Sequence, residues 1–434
     1  MKKLIMLFVA ALAVSSVATA QVRVDVAGNT RKVEASDADI QNSKKNTKAA
    51  TWMNRGNVYY QAAIAPTAGI YKGLGETEAN LLIGKPAETK VEEVNGQRYT
   101  VWVYDAYDLY LPEGSGQVVF WKQKINIVNN GLETAYEAYK KAAELDSRQV
   151  AKVKPLILKV ADAYKQEADV TFSAGDYKAA SSAFAKAYEI STDPLVNEPD
   201  SMSAYNAGYV AILGEDFDQA IKYLTVAKNL GYDQDGELYF LFYHAYNGKK
   251  DVANAEAILK EGIQKYPGNS KLIESMILHY TTTGQDASQM IPMVQEALAK
   301  DPDNFVFHFG LGMIYDKLGD FNNAAAEFKK SMDLNPEDFS SAFNLAITYV
   351  RHGEEMAKEL NDIPLNEQAR YDAKLGEIND LYKKALPYFQ KAHELNPEDS
   401  SSVELMKNIY FRFRDDSPEM MQNYEKYNEL LKTL

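Results

Sequence analysis

The sequence predicts an all-α fold, a row of helix pairs stacked side by side and interrupted near its start by one small β-rich insertion. Three observations predict it. Gly312, Tyr315, Gly319, Ala324, Phe328 and Pro336 are answered further along by Ala346, Tyr349, Gly353, Ala385, Phe389 and Pro397. Pro267, Pro302 and Pro336 fall 35 and 34 residues apart, a period that marks an array of supersecondary units. The run Leu-Asn-Pro-Glu-Asp stands twice, at 334–338 and 395–399.

The spacing has a mechanical cause. Gly312 and Tyr315 lie three apart on one face of a first helix, where the small Gly admits a neighbouring helix. Gly319 permits the turn. Ala324 and Phe328 lie four apart on a second helix, Ala at the close crossing and Phe filling the space beyond it. Pro336 ends that helix. The same pair of second-helix positions recurs as Ala180/Phe184, Ala220/Leu224, Ala255/Leu259, Met290/Val294 and Ala385/Phe389. With these residues in place the chain resembles the tetratricopeptide repeat (TPR) family, which combines a small residue and an aromatic three apart, a turn Gly, A-x3-F and a Pro. The resemblance implies a right-handed superhelical solenoid of about eight units that binds other proteins.

Taken in order, residues 1–20 read as a signal peptide. Lys2 and Lys3 precede an apolar stretch from Leu4 to Val14, and Ala18-Thr19-Ala20 supplies small residues for cleavage. That stretch of 11 residues is too short to span a bilayer. The chain has no Cys, which rules out a lipid anchor on a new terminal Cys and any disulfide. An exported, periplasmic protein is expected, with secretion as the alternative. Residues 21–65 carry an N-terminal segment and the first helix of a split repeat 1. Trp52, Gly56 and Tyr59 match that helix, with Arg55 where the family usually has an apolar residue.

Residues 66–129 form the insertion, since such helices normally connect within about 2–8 residues. Asn95-Gly96 is a hairpin signal, Tyr99 to Tyr104 is rich in β-formers, and 112–116 separates Leu109–Leu111 from Val118–Trp121. A small β-meander packed on the first repeats is expected. Residues 130–200 hold the second helix of repeat 1, with Tyr139 and Ala142, and repeat 2; 201–338 hold repeats 3–6. In repeat 7, at 339–399, Gly353 and Ala385 stand 32 apart where 319 and 324 stand 5 apart, so 27 residues are extra. Glu354–Leu360 and Glu367–Tyr382 both favour helix, which predicts a lengthened pair. Residues 400–434 close the array as a capping repeat.

The chain carries 47 Lys and Arg against 61 Asp and Glu, a net charge of −14, and loss of Lys2 and Lys3 with the leader makes it 45 against 61, or −16. Nucleic acid and anionic lipid are poor partners for such a surface. No thiol, no H-E-x-x-H, no G-x-S-x-G and no phosphate-cradling loop are present. The sequence points to a non-enzymatic protein with no catalytic residue, no cofactor and no metal. His244 and His279 lie in adjacent repeats, but no carboxylate shares their column, and a metal needs three or four ligands.

The resemblance places the first helices along a concave groove. Counting from starts at 201, 236, 271, 305 and 339, the fifth residues are Tyr205, Phe240, Ser275, Phe309 and Phe343, and the ninth are Tyr209, His244, His279, Met313 and Ile347. Both columns lie one helical turn apart on one face. Peptide-clamping members of the family hold Lys and Asn in these columns to grip a terminal carboxylate, and here the columns are aromatic and apolar. The expected function is a protein–protein interaction scaffold or adaptor of the bacterial envelope that binds an apolar peptide or helix through Tyr205, Tyr209, Phe240, His244, His279, Phe309, Met313 and Phe343. A periplasmic holdase or assembly factor is the alternative.

Overall fold

The computed structural model describes residues 24–267 and 269–432, so the signal peptide expected at 1–20 lies outside the described residues. The chain divides into two compact units, one ending at Tyr232 and the other beginning at Asp233.

The first unit opens with a helix that the sequence pattern did not announce. In α1 (Val26–Gln41) the Asp25 carboxylate caps the first turn, accepting from Gly28 N–H at 2.8 Å. α1 packs on α2 (Ala49–Ile64). Asp37 of α1 accepts from Arg55 Nη1 at 2.6 Å and from Tyr59 O–H at 2.7 Å. The departure from the repeat pattern at Arg55 therefore has a partner, supplied by a helix that precedes the array.

The chain then leaves the helix pair for the insertion. A short α3 (Glu76–Leu82) leads into β1 (Glu88–Val94), β2 (Gln97–Val103), β3 (Tyr107–Pro112) and β4 (Phe120–Gln123), an antiparallel meander in the order β1-β2-β3-β4. Asn95 and Gly96 turn the first hairpin with φ of 52° and 73°, the left-handed pair that a two-residue hairpin needs. One core joins Tyr99, Val101, Leu109, Leu111 and Phe120 to Leu74 and Ile83, with Tyr110 stacked on Phe120 at 4.4 Å. The meander rests on the end of the helix that opens the next pair. Val170 joins its core, Asn95 Nδ2 donates to the Ala174 carbonyl at 3.3 Å, and Lys72 Nζ to Ser173 Oγ at 2.7 Å.

The chain returns in α4 (Gly131–Leu145), which packs on α2 as the second helix of the split pair. A Cβ on Gly56 would stand 2.3 Å from the Tyr139 ring, so only Gly lets the two helices close. Then follow α5 (Val150–Ser173) with α6 (Tyr177–Ser191), and α7 (Ser201–Leu213) with α8 (Phe217–Asn229).

The second unit continues with α9 (Glu237–Gly248) and α10 (Val252–Lys265), α11 (Ser270–Thr283) and α12 (Ile291–Lys300), and α13 (Phe305–Lys317) and α14 (Phe321–Leu334). It ends with α15 (Phe339–Lys358) and α16 (Gln368–Leu395), then α17 (Ser400–Arg412) and α18 (Pro418–Leu430). The lengthened pair is α15 and α16, of 20 and 28 residues against 13 and 14 in α13 and α14.

The second-helix residues that repeat in sequence are all buried, from Ala180 and Phe184 to Ala385 and Phe389. In two of these pairs the large residue presses on a glycine of its own first helix: Leu224 on Gly208 and Phe328 on Gly312. Five hairpins turn through one left-handed residue at the same place, Gly175, Glu215, Lys250, Gly284 and Gly319. Part of the acidic excess has a structural use at the helix starts. Asp200, Asp338 and Asp399 cap α7, α15 and α17, each accepting from the N–H and the hydroxyl of the serine three residues on.

Candidate partner-binding surface

In the first unit the face of α7 carries Tyr205 and Tyr209 one turn apart. Tyr205 is half-buried, its ring 5.2 Å from that of Tyr232. Tyr209 is 36% exposed, and Met202 and Leu213, three residues before Tyr205 and four beyond Tyr209, are exposed as well. The spacing 202, 205, 209, 213 puts all four on one stripe of the helix. Met202 and Leu213 were outside the columns read from the sequence, which followed only the fifth and ninth positions.

In the second unit α9 presents Phe240 half-buried and His244 exposed, with their rings 4.3 Å apart edge to face. The Lys271 ammonium, itself bound to Glu237 at 2.7 Å, sits over the Phe240 ring at 5.6 Å. Burial pulls the His244 pKa below 6.5 against the opposing pull of Glu237. On α13, Phe309 and Met313 are half-buried against the Ala324–Phe328 core, with Phe309 5.4 Å from Phe328. On α15, Phe343 stacks on Phe339 at 5.4 Å and meets Phe389 edge-on at 5.8 Å. On α9, α13 and α15 alike the fifth-position ring is half-buried.

The column runs differently on α11. This helix begins at Ser270, so its fifth and ninth residues are Glu274 and Leu278. Leu278 is 50% exposed, whereas His279 is buried to 1% and Ser275 to 6%. A count begun at 271 therefore lands one residue too far round the helix, about 100° away from the face. His279 instead packs between the rings of Tyr243 and Tyr280, each 6.0 Å away. Neither ring nitrogen has a hydrogen-bond partner, and burial lowers its pKa below 6.5.

Among the described residues no group of three or more His, Asp or Glu side chains is placed to hold a metal ion, and no helix is long and apolar enough to cross a membrane.

The tetratricopeptide repeat family model matches residues 305–338. Among curated proteins the chain is similar to BBSome complex member bbs-4 of Caenorhabditis elegans, 23% identical over 309 residues, covering 69% of this chain and 64% of that protein. The match thus spans less than two thirds of that relative. It is also similar to photosystem I assembly protein Ycf3 of Rippkaea orientalis, 28% identical over 138 residues, covering 30% of this chain and 72% of that one. Among solved structures, a TPR repeats protein from Bacteroides fragilis NCTC 9343 is 18% identical, with 57% of this chain and 97% of that chain covered at a TM-score of 0.30. PilW, a widely conserved type IV pilus biogenesis factor, is 16% identical, with 54% and 92% covered at a TM-score of 0.39. The family model thus identifies a tetratricopeptide repeat at 305–338, and helix pairs recur on both sides of it.

Proposed function

We propose that this chain is a non-enzymatic scaffold or adaptor of the bacterial cell envelope that holds an apolar helix or extended segment of a partner protein against the first-helix columns. The observation that carries the reading is the presence of large apolar side chains at the surface in register on successive first helices. Tyr209 marks it in the first unit and Leu278 in the second, flanked there by the half-exposed Phe240, Phe309, Met313 and Phe343. Each such side chain that a partner covers contributes about 1.5–3 kcal/mol. The names of the two curated relatives speak of a complex member and an assembly protein, which accords with an assembly role. Export rests on Lys2, Lys3 and the apolar stretch from Leu4 to Val14.

The test is crosslinking in intact envelopes followed by mass spectrometry, with wild type beside Tyr209→Ala in one variant and Phe240→Ala with Leu278→Ala in another. A scaffold yields one partner in stoichiometric amount and loses it in at least one of the two variants. Unchanged crosslinks in both would remove the columns from the reading. Recovery of many weakly held proteins, with suppressed aggregation of unrelated unfolded chains, would replace the scaffold by a holdase.

A further inference from the structure

The β-meander has two outer strands. β4 packs on α5, whereas β1 is paired on one side alone, with β2. The Asn95-Gly96 turn closes on the pair Val94 and Gln97. Val94, Glu92, Lys90 and Glu88 therefore turn their backbone groups to β2, and Glu93, Val91 and Thr89 turn theirs away from the sheet. All three outward residues are exposed, Val91 to 54%, and no group among the described residues bonds to their N–H or C=O. An edge of this kind is a template for one more strand.

The residues of β1 decide which strand fits. Laid antiparallel against a second copy of itself, the strand forms ladder bonds only where outward residues stand opposite outward residues. A two-fold axis at Lys90, Glu92 or Glu93 sets like charges face to face. An axis at Thr89 leaves Val91 and Glu93 opposite Ala87 and Lys85, ahead of the strand. An axis at Val91 sets Val91 against its own counterpart, and in both directions Thr89 against Glu93 and Lys90 against Glu92. Every outward residue then exchanges its N–H and C=O bonds with a partner, and each Lys90 faces a carboxylate. That carboxylate is already positioned: Lys90 Nζ binds Glu92 Oε1 of its own strand at 2.5 Å, and the Tyr110 hydroxyl donates to Glu92 Oε2 at 2.8 Å. Charged residues on an outer strand ordinarily guard it against pairing; in this register no like charges stand opposite.

The geometry points to a second copy of this chain as the occupant: β1 pairs with its own counterpart about a two-fold axis at Val91 and joins two meanders into one continuous sheet. The contact lies in the insertion, uses no residue of the first-helix columns and does not rest on the function proposed for them.

The test uses the full chain, which has no Cys of its own. Opposed residues that exchange backbone bonds stand about 5.5 Å apart at Cα, inside the range of about 4.4–6.8 Å that a disulfide spans. Val91→Cys should therefore cross-link to itself under mild oxidation in most of the protein. Thr89→Cys alone and Glu93→Cys alone should not, since each lies roughly 13 Å along the strand from its own counterpart, and a mixture of those two variants should cross-link. In sedimentation velocity the wild type should form a reversible dimer. Val91→Pro should weaken it at least about tenfold, because the lost N–H points away from β2 and the meander keeps its own bonds. Lys90→Glu and Glu92→Lys should each be monomeric alone and dimerise when mixed, which also shows that both have folded. A wild type that stays monomeric up to about 1 mM, Thr89→Cys cross-linking as readily as Val91→Cys, or a dimer untouched by Val91→Pro would each overturn the inference. So would amide protection of β1 that needs a different protein, which would give the edge to a foreign strand. The wild-type measurement needs no substitution and stands even where a variant folds poorly.

Discussion

Replacing Gly312 by Ala tests the close packing of the helix pairs, because two effects of opposite sign meet there. In a helix interior, Gly to Ala stabilises by about 0.8–1 kcal/mol. At Gly312 the new Cβ would stand 2.6 Å from Phe328 Cδ1, about 1 Å inside ordinary carbon contact. Phe328 is buried and held by Phe309 and Leu345, so its ring has little room to withdraw. Overpacking of this kind costs about 1–3 kcal/mol, so the net change should be destabilising by about 0–2 kcal/mol. Gly376, also within a helix of the second unit, has nothing within 4 Å of its Cβ position, and Gly376→Ala should stabilise by about 0.8–1 kcal/mol. The propensity gain cancels between the two variants, and their difference of about 1–3 kcal/mol isolates the contact. The assay is urea unfolding followed by far-UV circular dichroism, with amide exchange in α13 and α14. Trp52, Trp102 and Trp121 all lie in the first unit, so tryptophan fluorescence does not report on the second. Equal stabilisation by the two alanines would refute the reasoning. So would an additive cycle of Gly312→Ala with Phe328→Leu, since the smaller side chain should relieve the collision.

Three further outcomes follow from the same contacts. Asp37→Ala should destabilise by about 1–3 kcal/mol, at the lower end because Asp37 is half exposed, by stranding Arg55; burial raises the Asp37 pKa, but the bonds from Arg55 and Tyr59 outweigh it and hold the carboxyl below 3.8. Its contribution is therefore present above that pH and lost as pH falls below it, which a pH series of urea midpoints in wild type and variant would show. His279→Leu should stabilise by about 1 kcal/mol at neutral pH, because two unpaired buried nitrogens disappear; since burial lowers the pKa of His279 below 6.5, wild type should lose stability as pH falls through that value, and the variant should lose less. Asp338→Ala should cost about 1 kcal/mol and speed amide exchange in the first turn of α15, an effect absent if Ser341 finds another partner for its N–H and hydroxyl.

Much of the fold could be read from residues that repeat. The Gly-to-aromatic and A-x3-F spacings located the paired helices, and the burial of Ala180, Ala220, Ala255, Ala324 and Ala385 follows from that regularity, because each position recurs in the same packing environment. Asn95-Gly96 marked the hairpin because few residue pairs accept two left-handed conformations in succession. α1 was not legible, since its small and polar residues carry no apolar period and its place depends on Asp37 meeting Arg55 across 18 positions. The column on α11 was misplaced because its count began at 271, one residue past the helix start at Ser270, and one residue turns every side chain of a helix by about 100°.

The sequence by itself determined the kind of unit and its number of recurrences, because local spacing dictates which side chains share a helix face. It also determined the left-handed turns and the capping aspartates, which act within three or four residues. Only the tertiary structure decided which of those faces stay open. Leu278 is exposed and His279 buried on one helix, and β1 is left as an open edge of the meander while α5 packs on β4. Burial and open edges belong to pairs of elements, and no single element carries the information about how its neighbour will cover it.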